Sequence, residues 1–301
     1  MNNDTRMPQD ASTAAWPRIS LVTAVRNGAH YIEDTIRSII YQGYPNLEYI
    51  VVDGASTDGT PEIIRKYESH ITWWVSQPDK GLYEALNTGF SRSTGDIMGW
   101  LNASDMLHVK GLFVVGSVFG EFPEVEWITG RPTKFSPAGM TVSIPTMLRW
   151  SRMRFLAGAN KYIQQESTYW CRSLWEKAGG TMSTELRAEG DFELWVRFFR
   201  HAHLYSVDAL IGGYRAHADA LSFSDMEKYD RTCDEIADRE LFSLPGASAA
   251  RLFRRITRFV TPIPKVRGLW HRAAMRALYR IPGPDLPPVI RHGWDTWRMQ
   301  Q

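Results

Sequence analysis

The stretch ISLVTAVRNGAHYIEDTIRSII, residues 19–40, decides the fold class. Residues 18–24 form a short run rich in β-favouring side chains, and the turn signal Arg26-Asn27-Gly28 follows it. Beyond the turn, apolar side chains from Tyr31 to Ile40 recur at the spacing of a helix. The stretch therefore predicts one strand, one loop and one helix in direct succession.

The same unit recurs along the chain, and a further strand follows. Apolar runs at 47–52, 71–75 and 97–101 are predicted strands, and helical patterns follow the first two at 61–67 and 82–90. Repeated strand–loop–helix units predict an α/β fold, with a mostly parallel sheet and helices on both of its faces. In sheets of this kind a ligand binds beyond the carboxyl ends of the strands.

Polar side chains stand at those carboxyl ends. Taken singly, an Asp or Asn after a strand is most often a turn or helix-cap residue, and Asp58 fits that role. Three aspartates at three successive strand ends, however, converge on one edge of the sheet. They predict a cleft that suits hydrogen bonds to a base or ribose, and a divalent cation. The residues at the four strand ends are Thr23 and Asn27, then Asp53, then Asp79, then Asn102 with Asp105.

The pattern loosens after residue 107. A strand at 126–129, a hairpin at 133–144 and a further strand with a short helix at 164–180 are predicted. The segment RAEGDFELWVRFFRH, residues 187–201, has the pattern of a buried helix that begins near Asp191. Asp191 is then either a plain helix cap or a carboxylate whose ionised form the helix dipole favours.

Composition limits the class of protein. The 301-residue chain is 44% hydrophobic and 23% charged, which indicates a folded protein with a sizeable core. A net charge of +2 gives no support for a nucleic-acid partner. Two cysteines, Cys171 and Cys233, make neither a disulfide framework nor a zinc site, which favours a reducing compartment. The N-terminus lacks a signal-peptide pattern, and no run of about 18 apolar residues predicts a membrane span, so we expect a cytoplasmic location.

Six segments, taken together and in order, resemble the family 2 glycosyltransferases of the GT-A fold, in particular bacterial members that build polysaccharides. The resemblance runs from about Arg18 to about Ser222. It implies a Rossmann-like, mostly parallel sheet with flanking helices, and a nucleotide-sugar donor. The six segments are ISLVTAVRNGAHYIEDTIRSII, LEYIVVDGASTDGT, QPDKGLYEALNTGF, GDIMGWLNASD, QQESTYWCRSLWEKAGG and GDFELWVRFFR.

The resemblance also implies roles for residues on the nucleotide side. Thr23 and Asp53 match positions that contact the nucleotide, and Asp53 typically faces the base. Asp79 lies in the next nucleotide-side loop. Related sequences often read Asn-Ala-Asp-Asp where this chain has 102–105, so Ser104 replaces an acidic residue near the ribose. Ser104 can bond a ribose hydroxyl but adds no charge. The expected nucleotide-sugar-binding residues are Thr23, Asn27, Asp53, Asp79, Asn102 and Ser104.

Catalytic and metal roles follow from the same resemblance. Asp105 matches the last aspartate of an Asp-x-Asp-like motif, which usually binds the Mn²⁺ or Mg²⁺ that bridges the donor diphosphate. His217 lies near a region that sometimes supplies another metal ligand. Asp191 matches the acidic residue that is the general base of inverting members. Gln165 and Glu166 are expected to contact the acceptor, although a plain turn at the end of a strand fits them equally.

The sequence thus predicts an enzyme that moves a hexosyl or related group from a nucleotide-diphosphate sugar to a glycan or lipid-linked acceptor, with inversion, in polysaccharide biosynthesis. One alternative is a catalytically silent nucleotide-sugar-binding protein on the same fold. A nucleotidyltransferase is a more distant alternative, because the chain lacks a Gly-rich phosphate loop near its first strand.

The last part of the chain differs in composition. Residues 251–280 contain nine Lys or Arg and no Asp or Glu, interleaved with apolar side chains. Such a basic amphipathic segment suits an anionic membrane leaflet, or else a solvated helical cover. We expect a flexible tail at 1–16, a glycosyltransferase domain at 17–222 and a basic helical C-terminal extension at 223–301. The domain divides into a nucleotide-binding half, 17–107, and an acceptor half, 108–222.

Overall fold

A computed structural model describes residues 16–158, 161–217, 226–260 and 286–301. The strands are β1 (Ile19–Val25), β2 (Leu47–Asp53), β3 (Trp73–Ser76), β4 (Ile97–Trp100), β5 (Met106–Leu107), β6 (Trp127–Thr129), β7 (Lys134–Phe135), β8 (Thr141–Ser143), β9 (Thr168–Cys171), β10 (Tyr205–Ser206), β11 (Gly212–Arg215), β12 (Val289–His292) and β13 (Trp297–Gln300). The helices are α1 (Ile32–Ile40), α2 (Thr60–Lys66), α3 (Leu82–Arg92), α4 (Gly111–Glu121), α5 (Arg152–Leu156), α6 (Arg172–Lys177), α7 (Gly190–Phe198), α8 (Met226–Ser243) and α9 (Ser248–Val260), with 3-10 turns at Glu68–His70 and Gln165–Ser167.

A seven-stranded sheet forms the centre, in the order β10-β6-β9-β4-β1-β2-β3. β1 pairs in parallel with both β2 and β4, and β2 pairs in parallel with β3. β9 is antiparallel to β4 and β6, between which it lies. The predicted mostly parallel α/β sheet is therefore confirmed, and the two predicted halves of the domain share this one sheet.

Apolar clusters cover both faces of the sheet. Leu21 and Val25 of β1 pack with residues of α1, α2 and α4 on one face. Val22 and Ala24, which alternate with them, pack with residues of α3, α6 and α7 on the other. Strands buried on both faces are typical of parallel sheets between helices.

Tryptophans join α7 to the sheet. The ring of Trp195 stacks on Trp100 of β4 at 5.7 Å between centroids and on Trp127 of β6 at 5.4 Å. Trp170 of β9 meets the same ring edge-on at 5.8 Å. All four rings are buried, so Trp195 belongs to the core as its helical spacing predicts. This packing fixes α7, and with it Asp191 in the first turn.

A smaller sheet, in the order β5-β11-β7-β8, lies beside the end of β4. β11 pairs antiparallel with β5 and parallel with β7. The predicted hairpin at 133–144 is present as β7 and β8. Because β5 begins directly after Asp105, β11 brings Arg215 next to that carboxylate.

The C-terminal extension is helical only in part, which corrects the expectation for 223–301. α8 and α9 are helices, but β12 and β13 form an antiparallel hairpin. Ile290 of the hairpin bridges to Val207 beside β10, and its burial with Val289 and Trp297 against the sheet favours strands there. Residues 261–285, which include the rest of the basic segment at 251–280, lie outside the described residues, and so do residues 1–15 of the predicted tail at 1–16.

α8 belongs to the same core as the glycosyltransferase domain. Its buried residues Cys233, Ile236 and Leu241 lie in the apolar cluster that contains α7. The predicted boundary at 222 therefore does not separate two independent cores.

Candidate active site

The loops after β1 and β2 bind each other at the edge of the sheet. Asn27, at φ +50°, accepts a hydrogen bond from the Thr57 N–H at 3.0 Å with its side-chain oxygen. Asn tolerates this left-handed conformation better than most residues. Asp58 accepts the N–H of Ala29 at 2.9 Å and that of Thr60 at 3.1 Å, so it has the structural turn role that its position predicts.

Asp53 lies at the end of β2 and is fully buried. Its carboxylate accepts the N–H of Ser56 at 3.1 Å and the hydroxyls of Ser56 and Ser76, each at 2.5 Å. Asp53 thus ties its own loop to β3. Its contact with a base stays a prediction.

Thr23 lies within β1. Its side chain is buried, and its hydroxyl accepts a hydrogen bond from Tyr49 at 3.2 Å. The strand alternation that places Leu21 and Val25 against α1 also turns the Thr23 side chain inward. The expected contact between Thr23 and a nucleotide stays a prediction.

Asp79 approaches the Asp53 loop from β3. Its Oδ1 accepts the N–H of Gly81 at 2.9 Å. A Cβ at Gly54 would lie 2.6 Å from its other oxygen, so only glycine fits without displacing the carboxylate. Burial raises the pKa of Asp79, and the charge of Arg26 opposes that rise. The strand ends of β2 and β3 thus converge as their order in the sheet predicts.

Asp105 is buried at the end of the β4 loop, with 1% of its surface exposed. Its Oδ1 accepts the backbone N–H of Arg215 at 2.9 Å, and its Oδ2 accepts the amide of Asn102 at 3.2 Å. The Arg215 guanidinium pairs with Asp34 of α1 at 2.9 Å and lies over the ring of Tyr31. Burial raises the pKa of Asp105 well above its ordinary range.

Gln165 and Glu166 are buried in the 3-10 turn that precedes β9. The Gln165 amide donates to the Trp100 carbonyl, and its oxygen accepts Asn102 at 3.0 Å. Gln165 therefore ties the 3-10 turn to the end of β4, and its expected contact with an acceptor stays a prediction. Glu166 is buried, and within the described part of the chain its Oε1 has no hydrogen-bond partner.

Burial raises the pKa of Glu166, and the charges of Asp105 and Asp191 raise it further. That Asp105 and Asp191 belong to one site stays a prediction.

The residues present fit a divalent cation only if a bound ligand supplies further oxygen atoms to the ion. Among the described residues, no cluster of three or more His, Cys, Asp or Glu side chains forms a cage for a metal ion. Mg²⁺, however, is usually bound by one or two carboxylates together with substrate phosphates and water. Asp105 at the strand end suits that arrangement. Ser104 beside it is partly exposed, and His217 packs on Tyr31 at 4.7 Å, so a metal role for His217 stays a prediction.

Asp191 lies in the first turn of α7. Its Oδ1 accepts the N–H of Phe192 at 2.7 Å and faces the Tyr229 hydroxyl at 3.5 Å. The N–H of Gly190 donates to the Tyr83 hydroxyl at 2.8 Å. Burial raises the pKa of Asp191 to about 6, while the bonds from Phe192 and Tyr229 favour the ionised form. The pKa of this carboxylate thus lies closer to neutrality than that of an ordinary aspartate.

Comparison with known proteins decides the family. A model for glycosyl transferase family 2 matches residues 20–112. The putative glycosyltransferase EpsE of Bacillus subtilis is 32% identical over 230 residues, which are 68% of this chain and 75% of that protein. The chain belongs to glycosyltransferase family 2. It also matches an uncharacterized glycosyltransferase of Mycobacterium tuberculosis at 29% identity, and there it spans 62% of the relative's length, less than two thirds.

Two solved glycosyltransferases share the fold. TarS of S. aureus, in complex with UDP-GlcNAc, has a TM-score of 0.64 at 14% identity, covering 87% of this chain and 89% of that one. Mannosyltransferase PcManGT of Pyrobaculum calidifontis, in complex with GDP-Man and Mn²⁺, has a TM-score of 0.53 at 17% identity, covering 88% and 87%. The predicted GT-A fold is confirmed.

Three site residues escaped the sequence analysis. Arg215 could have been found, because it is a charged residue in an otherwise largely buried strand. Tyr83 sits on the apolar face of α3, where its hydroxyl could not be told from a core ring. Tyr229 lies past the predicted domain boundary and carried no signal.

We expect Asn102→Ala to lower the free energy of unfolding by about 1–3 kcal/mol, because one amide serves the buried oxygens of both Asp105 and Gln165. Urea unfolding at fixed pH measures this change. Asn46→Ala is the matched control, since the exposed Asn46 amide donates only to the Trp16 carbonyl and should cost about 0.5 kcal/mol or less. Equal costs for the two variants would contradict a bridging role for Asn102.

Proposed function

We propose that the chain is an inverting glycosyltransferase, which moves a glycosyl group from a nucleotide-diphosphate sugar to a hydroxyl of a glycan or lipid-linked acceptor. The observation that carries the proposal is Asp191, a carboxylate at the start of α7 whose pKa of about 6 suits a base. Membership of family 2 and the nucleotide sugars bound by TarS and PcManGT support this class of donor.

Asp191 has the properties that the acceptor side of the reaction requires. As the acceptor oxygen bonds to the anomeric carbon, its proton passes to the carboxylate and the nucleotide diphosphate departs with its bonding electrons. At neutral pH a group with a pKa near 6 is mostly ionised, yet it is a stronger base than an ordinary aspartate. General-base catalysis of this kind is typically worth about 10²–10⁴ in rate.

The donor side of the site is built by the loops at the ends of β1 to β4. The nucleotide sugar would be bound by Thr23, Asn27, Asp53, Asp79, Asn102 and Ser104, with Ser104 at the ribose. Gln165 and Glu166 would contact the acceptor. Asp105, with His217 as a further candidate, would hold a Mn²⁺ or Mg²⁺ ion. Such an ion neutralises the charge that develops on a leaving diphosphate. The buried Asp105 carboxylate is held in place for this by Arg215 and Asn102.

Asp191→Asn should lower turnover at least a hundredfold and leave donor binding intact, because the amide cannot take the proton. The donor is first chosen from a panel of nucleotide sugars by the rise in Tm that it causes with Mn²⁺. Glu193→Gln is the matched control, since Glu193 lies in the same helix and pairs with Arg197 at 2.8 Å. Retention of more than about a tenth of wild-type turnover would contradict the base assignment. A wild-type protein that binds a donor but transfers nothing would favour the catalytically silent alternative.

Asp105→Ala should remove the Mn²⁺-dependent part of donor binding, which calorimetry measures with and without the ion. Ser104→Asp should retain or tighten that binding, since it places a second carboxylate beside the first. If Asp105→Ala binds the donor and Mn²⁺ as wild type does, the ligand must be reassigned, and His217 is then tested first.

The C-terminal basic segment supports a proposal about location. No helix among the described residues is long and apolar enough to cross a bilayer. We propose that the enzyme works at the cytoplasmic face of the membrane through residues 251–280. Part of that charge is already paired within the fold: Arg254 is buried and pairs with Asp234 and Asp238, and the exposed Arg251 donates to the Leu241 carbonyl. We propose that the other seven Lys and Arg of the segment, at positions 255, 258, 265, 267, 272, 276 and 280, meet an anionic surface.

Co-sedimentation with vesicles tests this proposal. The full chain should sediment with anionic but not neutral vesicles, and less so in high salt, because each Lys or Arg near such a surface contributes about 1 kcal/mol. Replacing Lys265, Arg267, Arg272, Arg276 and Arg280 by Gln should strongly weaken sedimentation and leave nucleotide binding unchanged. Equal partition to both kinds of vesicle, or to neither, would mean that the segment has another role.

A further inference from the structure

α8 reaches into the candidate active site from beyond the part of the chain that carries the family motifs. Its core residues Cys233 and Ile236 lie in the same apolar cluster as α7. Tyr229, in the first turns of α8, is thereby set against the start of α7. Its hydroxyl lies 3.5 Å from Oδ1 of Asp191, within hydrogen-bond reach.

The ring of Tyr229 is held from two sides. It is partly buried against the apolar cluster, and it stacks on Tyr162 at 6.1 Å between centroids with 26° between the planes. Cys233 lies one turn further along α8 and also raises the pKa of Tyr229. Burial raises the pKa of Tyr229, so the hydroxyl keeps its proton and can donate it to a hydrogen bond. The side chain is thus fixed in place as a donor that faces the carboxylate.

We propose that Tyr229 is a positioning residue for the general base, whose hydroxyl orients the Asp191 carboxylate and stabilises its ionised form. This inference rests on the proposed function of Asp191. It makes α8 part of the catalytic machinery, although the family motifs end before it.

The other groups around Asp191 act in different directions. Burial and the neighbouring charge of Glu189 favour the protonated acid. The charge of Asp191 raises the pKa of Tyr83 in α3, of Glu166 in the 3-10 turn and of Cys233 in α8. The charge of Lys161 lowers the pKa of Cys233, and Lys161 pairs with Asp230 and Asp234. Against this background, the Tyr229 hydroxyl is a side-chain donor that lowers the pKa of Asp191.

The role of the Tyr229 hydroxyl as a donor fixes the direction in which its removal shifts the pKa of Asp191. Removing a donor that favours the ionised carboxylate raises the pKa of Asp191, so the acid limb of the pH–rate profile moves to higher pH. Tyr229→Phe removes the hydroxyl and keeps the ring. We expect its limb to shift upward by about half to one pH unit, which is about threefold to tenfold in kcat on the acid side. The loss should shrink at alkaline pH, and KM for the donor should not change.

Two control variants isolate the hydroxyl–carboxylate contact. Tyr162→Phe removes the hydroxyl of the stacked ring, which binds Asp230 at 2.7 Å rather than Asp191. Cys233→Ala removes the competing sulfur partner of Tyr229. Neither should move the limb upward. Urea unfolding at the assay pH shows that each variant is folded.

A second substitution tests the same contact without removing it. Site-specific 3-fluorotyrosine at position 229 keeps the ring and makes the hydroxyl a stronger donor, so the acid limb should move to lower pH. An unmoved limb in both folded variants, or an equal loss of kcat at every pH, overturns the proposal. Asp191→Asn separates the two claims: if that variant retains turnover, the base assignment fails, whereas an inactive Asp191→Asn with an unmoved Tyr229→Phe limb overturns only the role of Tyr229.

Discussion

A buried carboxylate that must be hydrogen-bonded holds the site together. Placing a carboxylate away from water is strongly unfavourable unless donors surround it. Asp105 meets this demand with the backbone N–H of Arg215 and the amide of Asn102. The bond from Arg215 joins the smaller sheet to the end of β4. The Asn102 amide also donates to Gln165. Arg215 then carries the link to Asp34 of α1.

Local patterns in the sequence are enough to predict the fold of residues 17–107, the predicted nucleotide-binding half. The alternation of apolar runs and helical spacing depends on near neighbours, so β1 to β4 and their helices follow from it. Asp53, Asp79 and Asp105 could be placed on one edge because the order of parallel strands leaves no other position for their loops. Asp191 was predicted at the start of its helix for the same local reason.

Contacts between distant parts of the chain account for what was missed. The sequence predicts Gln165 as an acceptor contact or a strand-end turn, and neither reveals that its amide donates to the carbonyl of Trp100 in a distant strand. The hairpin at 289–300 forms strands because the sheet edge near Val207 offers a partner, which no property of the segment itself reveals. Tyr229 meets Asp191 only after α8 has packed on α7.

The packing of α8 on α7 also bears on how the protein is made. A ribosome adds residues from the N-terminus onward, and domains begin to fold as they emerge. A nascent chain that has reached residue 222 already holds every motif of its family, yet the outer side of α7 still lacks the apolar cover of Cys233, Ile236 and Leu241. Until α8 emerges, that apolar surface is accessible to chaperones and to other nascent chains. Completion of the fold, and with it the full neighbourhood of Asp191, is therefore delayed to a late stage of synthesis.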